Sequence, residues 1–168
     1  ASQGHLPNLT LEIILPLGIS FFAFEFIHYI VDVYKGDKPV KKFLDFALFA
    51  SFFPTQIAGP IKRFQDFIPQ LSKDTKFNLS MLDDGLNEIV FGLFKKVVIA
   101  DNLSAIAQSA FTRPDLLSGT DLWLATYAFA FQIYFDFSGY TDIARGSARL
   151  LGYNVPPNFN LPYLATSI

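Results

Sequence analysis

Apolar residues gather into four long runs, and turn formers or charges separate them. The first covers residues 11–34 (LEIILPLGISFFAFEFIHYIVDVY), with Glu25 inside it and Pro16 and Gly18 near its start. The second covers 43–61 (FLDFALFASFFPTQIAGPI) and has no charge after Phe46. The third, 85–111, is amphipathic and is interrupted by Lys95 and Lys96. The fourth, 122–139, stays uncharged until Asp136. Runs of this length without strict alternation predict helices rather than strands. Pro16 and Gly18 mark a kink or the true start of the first helix, and Pro54, Gly59 and Pro60 break the second.

A membrane-spanning helix needs about 20 predominantly apolar residues. The four runs approach that length but hold polar residues, as helices of a multi-pass bundle do when polar groups face its interior. The basic stretches 35–42 and 62–76 flank the second run on both sides. Short basic loops favour the cytoplasmic face. The expectation is therefore an all-α, polytopic membrane fragment with spanning, re-entrant and interfacial helices. The second run would dip in and return, the third would lie partly in the interface, and the whole would sit in a bacterial inner membrane with lipids as partners. A soluble helical bundle with long buried helices is the competing reading. Residues 150–168 are uncharged but too rich in Pro and Asn to form a span.

Composition sharpens this picture. Of 168 residues, 51 % are hydrophobic and only 17 % charged, with 20 Phe and no Cys. Disorder is excluded by the high apolar and low charged content. Disulfide frameworks, zinc–thiolate sites and cysteine nucleophiles are excluded by the missing cysteine. With Lys+Arg 13 against Asp+Glu 15, the chain lacks the basic surplus of nucleic-acid binders.

Candidate chemistry is confined to a few polar residues. Glu25 and His28 are three apart and can pair, either to orient a base or simply to satisfy two buried groups. His5 lies in a polar stretch and reads as idle. Neither histidine has a partner at metal-ligand spacing, so no metal ligand is assigned. Lys95 and Lys96 can anchor at an interface or face an anionic acyl donor. Gln132 and Asp136 share a helical face. Asp142 can pair with Arg145, as a lock between helices or as part of a polar tunnel. Ser138 has no histidine near it in sequence, and FSGYTD is not a nucleophile elbow. No phosphate-binding glycine loop is present.

Four stretches together carry a resemblance: LPLGISFFAFEFIHYIVDVYKGD (15–37), SFFPTQIAGPIKRFQDFIPQL (51–71), GLFKKVVIADNL (92–103) and FAFQIYFDFSGYTDIARGSARLLGYNVPPNFNLPYLATSI (129–168). In order and spacing they resemble the membrane-bound O-acyltransferase family, in its alginate O-acetylation branch. The resemblance implies part of one acyltransferase domain, with 1–168 as an internal portion of it. It implies acetyl transfer to hydroxyls of an exported polysaccharide such as alginate, with D-alanyl transfer to teichoic acid as the alternative. A transporter or a non-enzymatic scaffold is a more distant alternative. No cofactor is implied beyond a co-substrate, acetyl-CoA or a carrier-linked acyl group. Polysaccharide synthesis or acetylation proteins are the implied partners. The family's catalytic histidine follows a PYLATS-like stretch and has no counterpart here, and His28 does not match it, so no catalytic residue is assigned and the portion alone is expected to be inactive. The positions carried over as core or tunnel candidates are Gln56, Lys95, Lys96, Gln132, Asp136, Ser138, Tyr140 and Asp142.

Overall fold

The computed structural model describes residues 17–73 and 78–166. His5, Pro16, Lys76 and the first part of the 11–34 run lie outside the described residues. Every regular element among the described residues is helical. Helix α1 spans Ile19–Tyr34, α2 Phe43–Ala50, α3 Phe64–Leu71, α4 Leu79–Leu93, α5 Asp101–Thr112 and α6 Gly119–Leu150. A π-helical segment, Phe94–Ala100, joins α4 to α5 without a break.

Helix α1 starts where Gly18 allows it to. Gly18 has φ +79°, and a Cβ there would lie 2.8 Å from the Gln56 carbonyl oxygen. Only glycine takes that backbone conformation at no steric cost while letting the 56–57 loop approach so closely. The second apolar run does break: α2 ends at Ala50, and Pro54 sits in a short 3-10 turn, Phe53–Thr55. Its missing N–H is tolerated near the start of such a turn. Helix α6 opens with a capping box, in which the Ser118 hydroxyl accepts from the Asp121 N–H and the Asp121 carboxylate accepts from the Ser118 N–H. That satisfies donors the first helical turn would leave orphaned.

Two packing regimes follow. Around α1–α3 the core is aromatic: Phe49, Phe52, Phe64 and Phe67 are buried together, with Tyr29 and Tyr153 packed against them. Between α4 and α6 the contact is made by glycines. A Cβ on Gly92 would lie 2.6 Å from the Gly139 carbonyl oxygen, and one on Gly146 would lie 2.5 Å from that of Gly85. Gly85 pairs with Gly146 and Gly92 with Gly139, so the helices run antiparallel and touch backbone to backbone two turns apart. The segment after α6 then doubles back along it. Asn158 Nδ2 donates to Thr141 Oγ1 (3.2 Å) and the Tyr163 hydroxyl donates to the Ala130 carbonyl (2.8 Å).

The membrane expectation is corrected. Among the described residues no helix is long and apolar enough to cross a membrane. Helix α1, with 16 residues, falls short of the required length, and the continuous stretch from α4 through α5 carries Asp83, Asp84, Glu88, Lys95, Lys96 and Asp101. Helix α6 has 32 residues, but Gln132, Asp136, Asp142, Arg145 and Arg149 dilute its apolar character. The spanning, re-entrant and interfacial assignments, and with them the multi-pass inner-membrane location, therefore do not hold. Lys62, read from the sequence as part of a basic loop, is instead 2 % exposed.

Candidate functional site

Close approach at the glycines puts the polar residues of α4, the π segment and α6 within reach of one another. The same antiparallel register zips five charged contacts. Arg149 lies near Asp84 (3.9 Å) and Glu88 (3.5 Å), and Arg145 near Glu88 (3.2 Å). Further along, Lys95 Nζ donates to Asp142 Oδ2 (2.5 Å) and Ser138 Oγ (3.1 Å). Lys96 donates to Asp136. In a regular α-helix, adjacent side chains diverge by about 100°. The π segment widens the turn that carries Lys95 and Lys96, and both lysines reach α6. Such π segments recur at functional sites.

A cavity of about 160 Å³ opens beside Lys95. Its floor is Lys95, Ser138, Thr141, Asp142 and Arg145, and Tyr134 stands at one side. The returning segment closes the other side with Pro157, Phe159, Asn160 and Leu161. Leu161 takes the left-handed conformation, φ +47°, in the described chain's one such non-glycine position. Strain of this kind costs of order 1–3 kcal/mol and is held only where surroundings enforce it. Arg145 Nε is buried with no hydrogen-bond partner. The Lys95 contact leaves the Ser138 hydroxyl accepting, with its own proton still to donate. Chemically the cavity can bind and orient a small polar group beside a fixed positive charge. Its one lining carboxylate, Asp142, is held through Oδ2 by Lys95.

The sequence-derived candidates divide. Lys95, Ser138 and Asp142 meet at the cavity. Lys96 and Asp136 form a half-exposed pair beside it, and hydrogen bonding to Asp136 raises the Lys96 pKa. Gln132 and Tyr140 lie on α6, half-buried, outside the cavity lining. Gln56 lies elsewhere, in a separate hollow with Leu17, Gly18, Ile19 and Phe22. The lysines are turned onto α6 rather than out toward an interface.

Two expected pairs are replaced. Asp142 pairs with Lys95 and not with Arg145, which turns to Glu88. Glu25 pairs with Lys62 and not with His28. Lys62 Nζ donates to Glu25 Oε1 (2.5 Å) and Thr55 Oγ1 (3.2 Å), 4.7 Å from the Phe49 ring centroid. Burial pushes the Glu25 pKa up and the Lys62 pKa down, and their mutual attraction opposes both shifts. His28 Nε2 lies 3.4 Å from Asp32 on α1, and Gln65 donates to both Asp32 (2.8 Å) and Asp37 (2.7 Å). The Gln65 hydrogen bond lowers the Asp32 pKa. Among the described residues no group of three or more His, Asp or Glu side chains is placed to hold a metal ion.

Tyr134, Thr141 and Asn160 are cavity residues that reasoning from sequence missed. The signal was present as matched seven-residue glycine spacings, Gly85–Gly92 and Gly139–Gly146. They announce two helices in close contact and fix which side chains face each other.

Residues 37–168 match the model of the membrane-bound O-acyltransferase family. The chain is 44 % identical over 168 residues to the probable alginate O-acetylase of Azotobacter vinelandii, covering 99 % of this chain and 33 % of the relative. It is 38 % identical to the peptidoglycan O-acetyltransferase of Helicobacter pylori, covering 95 % and 35 % respectively. It is 32 % identical to the teichoic acid D-alanyltransferase of Bacillus subtilis, covering 99 % and 42 %. The chain thus spans about a third of the length of the alginate O-acetylases it matches.

Proposed function

Because this chain belongs to the membrane-bound O-acyltransferase family, we propose that the protein carrying it transfers an acetyl group to hydroxyls of an exported polysaccharide. The observation that carries the acetyl assignment is the gradient of identity. It is 44 % to an alginate O-acetylase and 32 % to a D-alanyltransferase over nearly the same stretch.

The reaction joins the acceptor hydroxyl oxygen to the acetyl carbonyl carbon. The bond from that carbon to the donor's leaving group breaks, and the hydroxyl proton ends on the leaving group. Acetyl-CoA or a carrier-linked acetyl group is the donor this reading calls for, and polysaccharide acetylation proteins are the partners. Such a transfer needs a base for the hydroxyl proton and donors for charge developing on the carbonyl oxygen. The Lys95–Ser138–Asp142 arrangement supports the second need. Asp142 fixes the ammonium, and the ammonium fixes Ser138, so donors stand oriented before any substrate arrives.

The test uses the full protein with an acetyl donor and either an alginate oligomer or teichoic acid as acceptor. Alkali-labile acetyl esters on the alginate oligomer are expected. Transfer of D-alanine to teichoic acid, with none of acetyl to alginate, would overturn the assignment.

A further inference from the structure

We propose that the cavity between Lys95 and the segment returning along α6 is a carbohydrate subsite that takes one sugar ring through its hydroxyls and does not read charge on that ring. The assignment rests on the polysaccharide reading above and adds to it where the acceptor is held and what selects it.

Size comes first. At about 160 Å³ the cavity is well below the roughly 300–1,000 Å³ of pockets that take drug-sized ligands. It admits one ring and leaves the rest of a polymer outside.

Hydrogen-bonding character comes second. A sugar hydroxyl both donates and accepts, so a matching wall must offer both kinds of group, interspersed. Ser138 has a proton to give. Asp142 is bound through one carboxylate oxygen, which leaves the other to accept. Asn160 and Tyr134 line the same space. Beside them the Tyr134 and Phe159 rings meet edge to face, with centroids 5.5 Å apart at 83°. That corner is an apolar surface for the C–H face of a ring.

Charge comes third, and it decides the class. Lys95 is neutralised by Asp142 and Arg145 by Glu88. A carboxylate entering the cavity would have to compete with Asp142 for the ammonium, and it would meet the Asp142 charge while doing so. A neutral hydroxyl meets no such opposition. The Asn158–Thr141 hydrogen bond ties the returning segment that carries Asn160 to α6.

The experiment measures binding to the full protein of a neutral hexose tetrasaccharide and a hexuronate tetrasaccharide of equal length, at low and at high salt. Inorganic phosphate and sodium acetate serve as competitors. Both saccharides are expected to bind within a few-fold of each other, with little dependence on salt and no displacement by either anion. Asn160→Ala and Tyr134→Phe, two changes that leave the α4–α6 contacts intact, should each weaken both saccharides by about three- to tenfold, the worth of one neutral hydrogen bond. Much tighter, salt-sensitive binding of the hexuronate would overturn the inference, as would displacement by phosphate or acetate alone. Unchanged binding in both variants would overturn it too. Acetyl transfer is read on the same proteins. Transfer with an unaltered KM for polymer in both variants sinks the subsite and leaves the acetyltransferase reading standing. Saccharide binding without any transfer by the unaltered protein does the reverse.

Discussion

Lys62 and Lys95 are both held by carboxylates, and their surroundings differ in ways that separate structure from function. Lys62 is 2 % exposed, joined to Glu25 and Thr55 and surrounded by the faces of Phe49, Phe52 and Phe67. Every direction around its ammonium is filled. Lys95 is 28 % exposed on its side chain and has one flank open to a cavity. Its partners, Ser138 and Asp142, keep hydrogen-bonding capacity to spare. A charge enclosed on all sides fixes a fold, here tying α1 to the segment before α3. A charge fixed on one side and open on the other can meet a ligand.

The largest expected effect breaks the enclosed pair. Glu25→Ala leaves Lys62 buried and uncompensated, which costs about 3–5 kcal/mol. Denaturant melting of the full protein should show that loss. Glu25→Leu combined with Lys62→Met removes both charges together and should recover most or all of it. A loss equal to that of Glu25→Ala in the double variant would mean that the pair itself is worth its desolvation.

Next comes the open lysine. Lys95→Met keeps the stem and removes the charge. It should change stability little and lower kcat/KM for acetyl transfer by about a hundredfold, the scale of losing one preorganised donor. Steady-state kinetics on the polymer acceptor check this.

The glycine seam that delivers Lys95 to α6 gives the third prediction. Gly139→Ala places a methyl 2.7 Å from the Gly92 carbonyl oxygen. Overpacking of this kind costs about 1–3 kcal/mol. Because the two helices must part, Lys95 should also lose its hold on Ser138, so stability and transfer fall together. Gly119→Ala, where nothing lies within 4 Å of the added carbon, is the control and should spare both.

The smallest effect is at Lys96, the lysine beside the cavity. Its pair with Asp136 is half-exposed, so solvent screening limits it to about 0.2–1 kcal/mol. The raised Lys96 pKa sets the sign. The contribution is fully present below the ordinary lysine value of about 10.4 and is lost as pH rises through the higher folded value. Lys96→Gln should lower the melting temperature slightly at neutral pH and leave it unchanged above the folded Lys96 pKa, so that the alkaline limb flattens.

Much of the helical layout was legible from apolar runs and breakers. Gly18 at the start of α1, Pro54 between α2 and α3, and the turn-rich 112–121 stretch all fall where the backbone demands a change. Helix α3 was missed because Phe64–Leu71 is short, polar on one side and contains Pro69. The membrane reading failed because it let embedded polar residues face a bundle interior, whereas Gln132, Asp136 and Asp142 in α6 belong to a helix without a stretch apolar enough to cross a membrane. The site was half legible. Lys95, Ser138 and Asp142 stood out as polar groups in apolar surroundings. Their partners did not, because neighbours three or four apart on one helix were paired by default. Glu25 reaches 37 residues along the chain for Lys62, and Lys95 reaches 47 for Asp142. Contacts of that range depend on which backbones can approach, and glycine decides that.

The account's central claim is that Lys95 serves the reaction while Lys62 serves the fold. Acetyl transfer and thermal melting, measured side by side in the full protein for Lys95→Met and for Glu25→Leu with Lys62→Met, test it most directly. The account predicts that Lys95→Met melts near the unaltered protein and loses transfer, whereas the double variant stays stable and keeps it. Full transfer by Lys95→Met, or a stable double variant that transfers nothing, would contradict it.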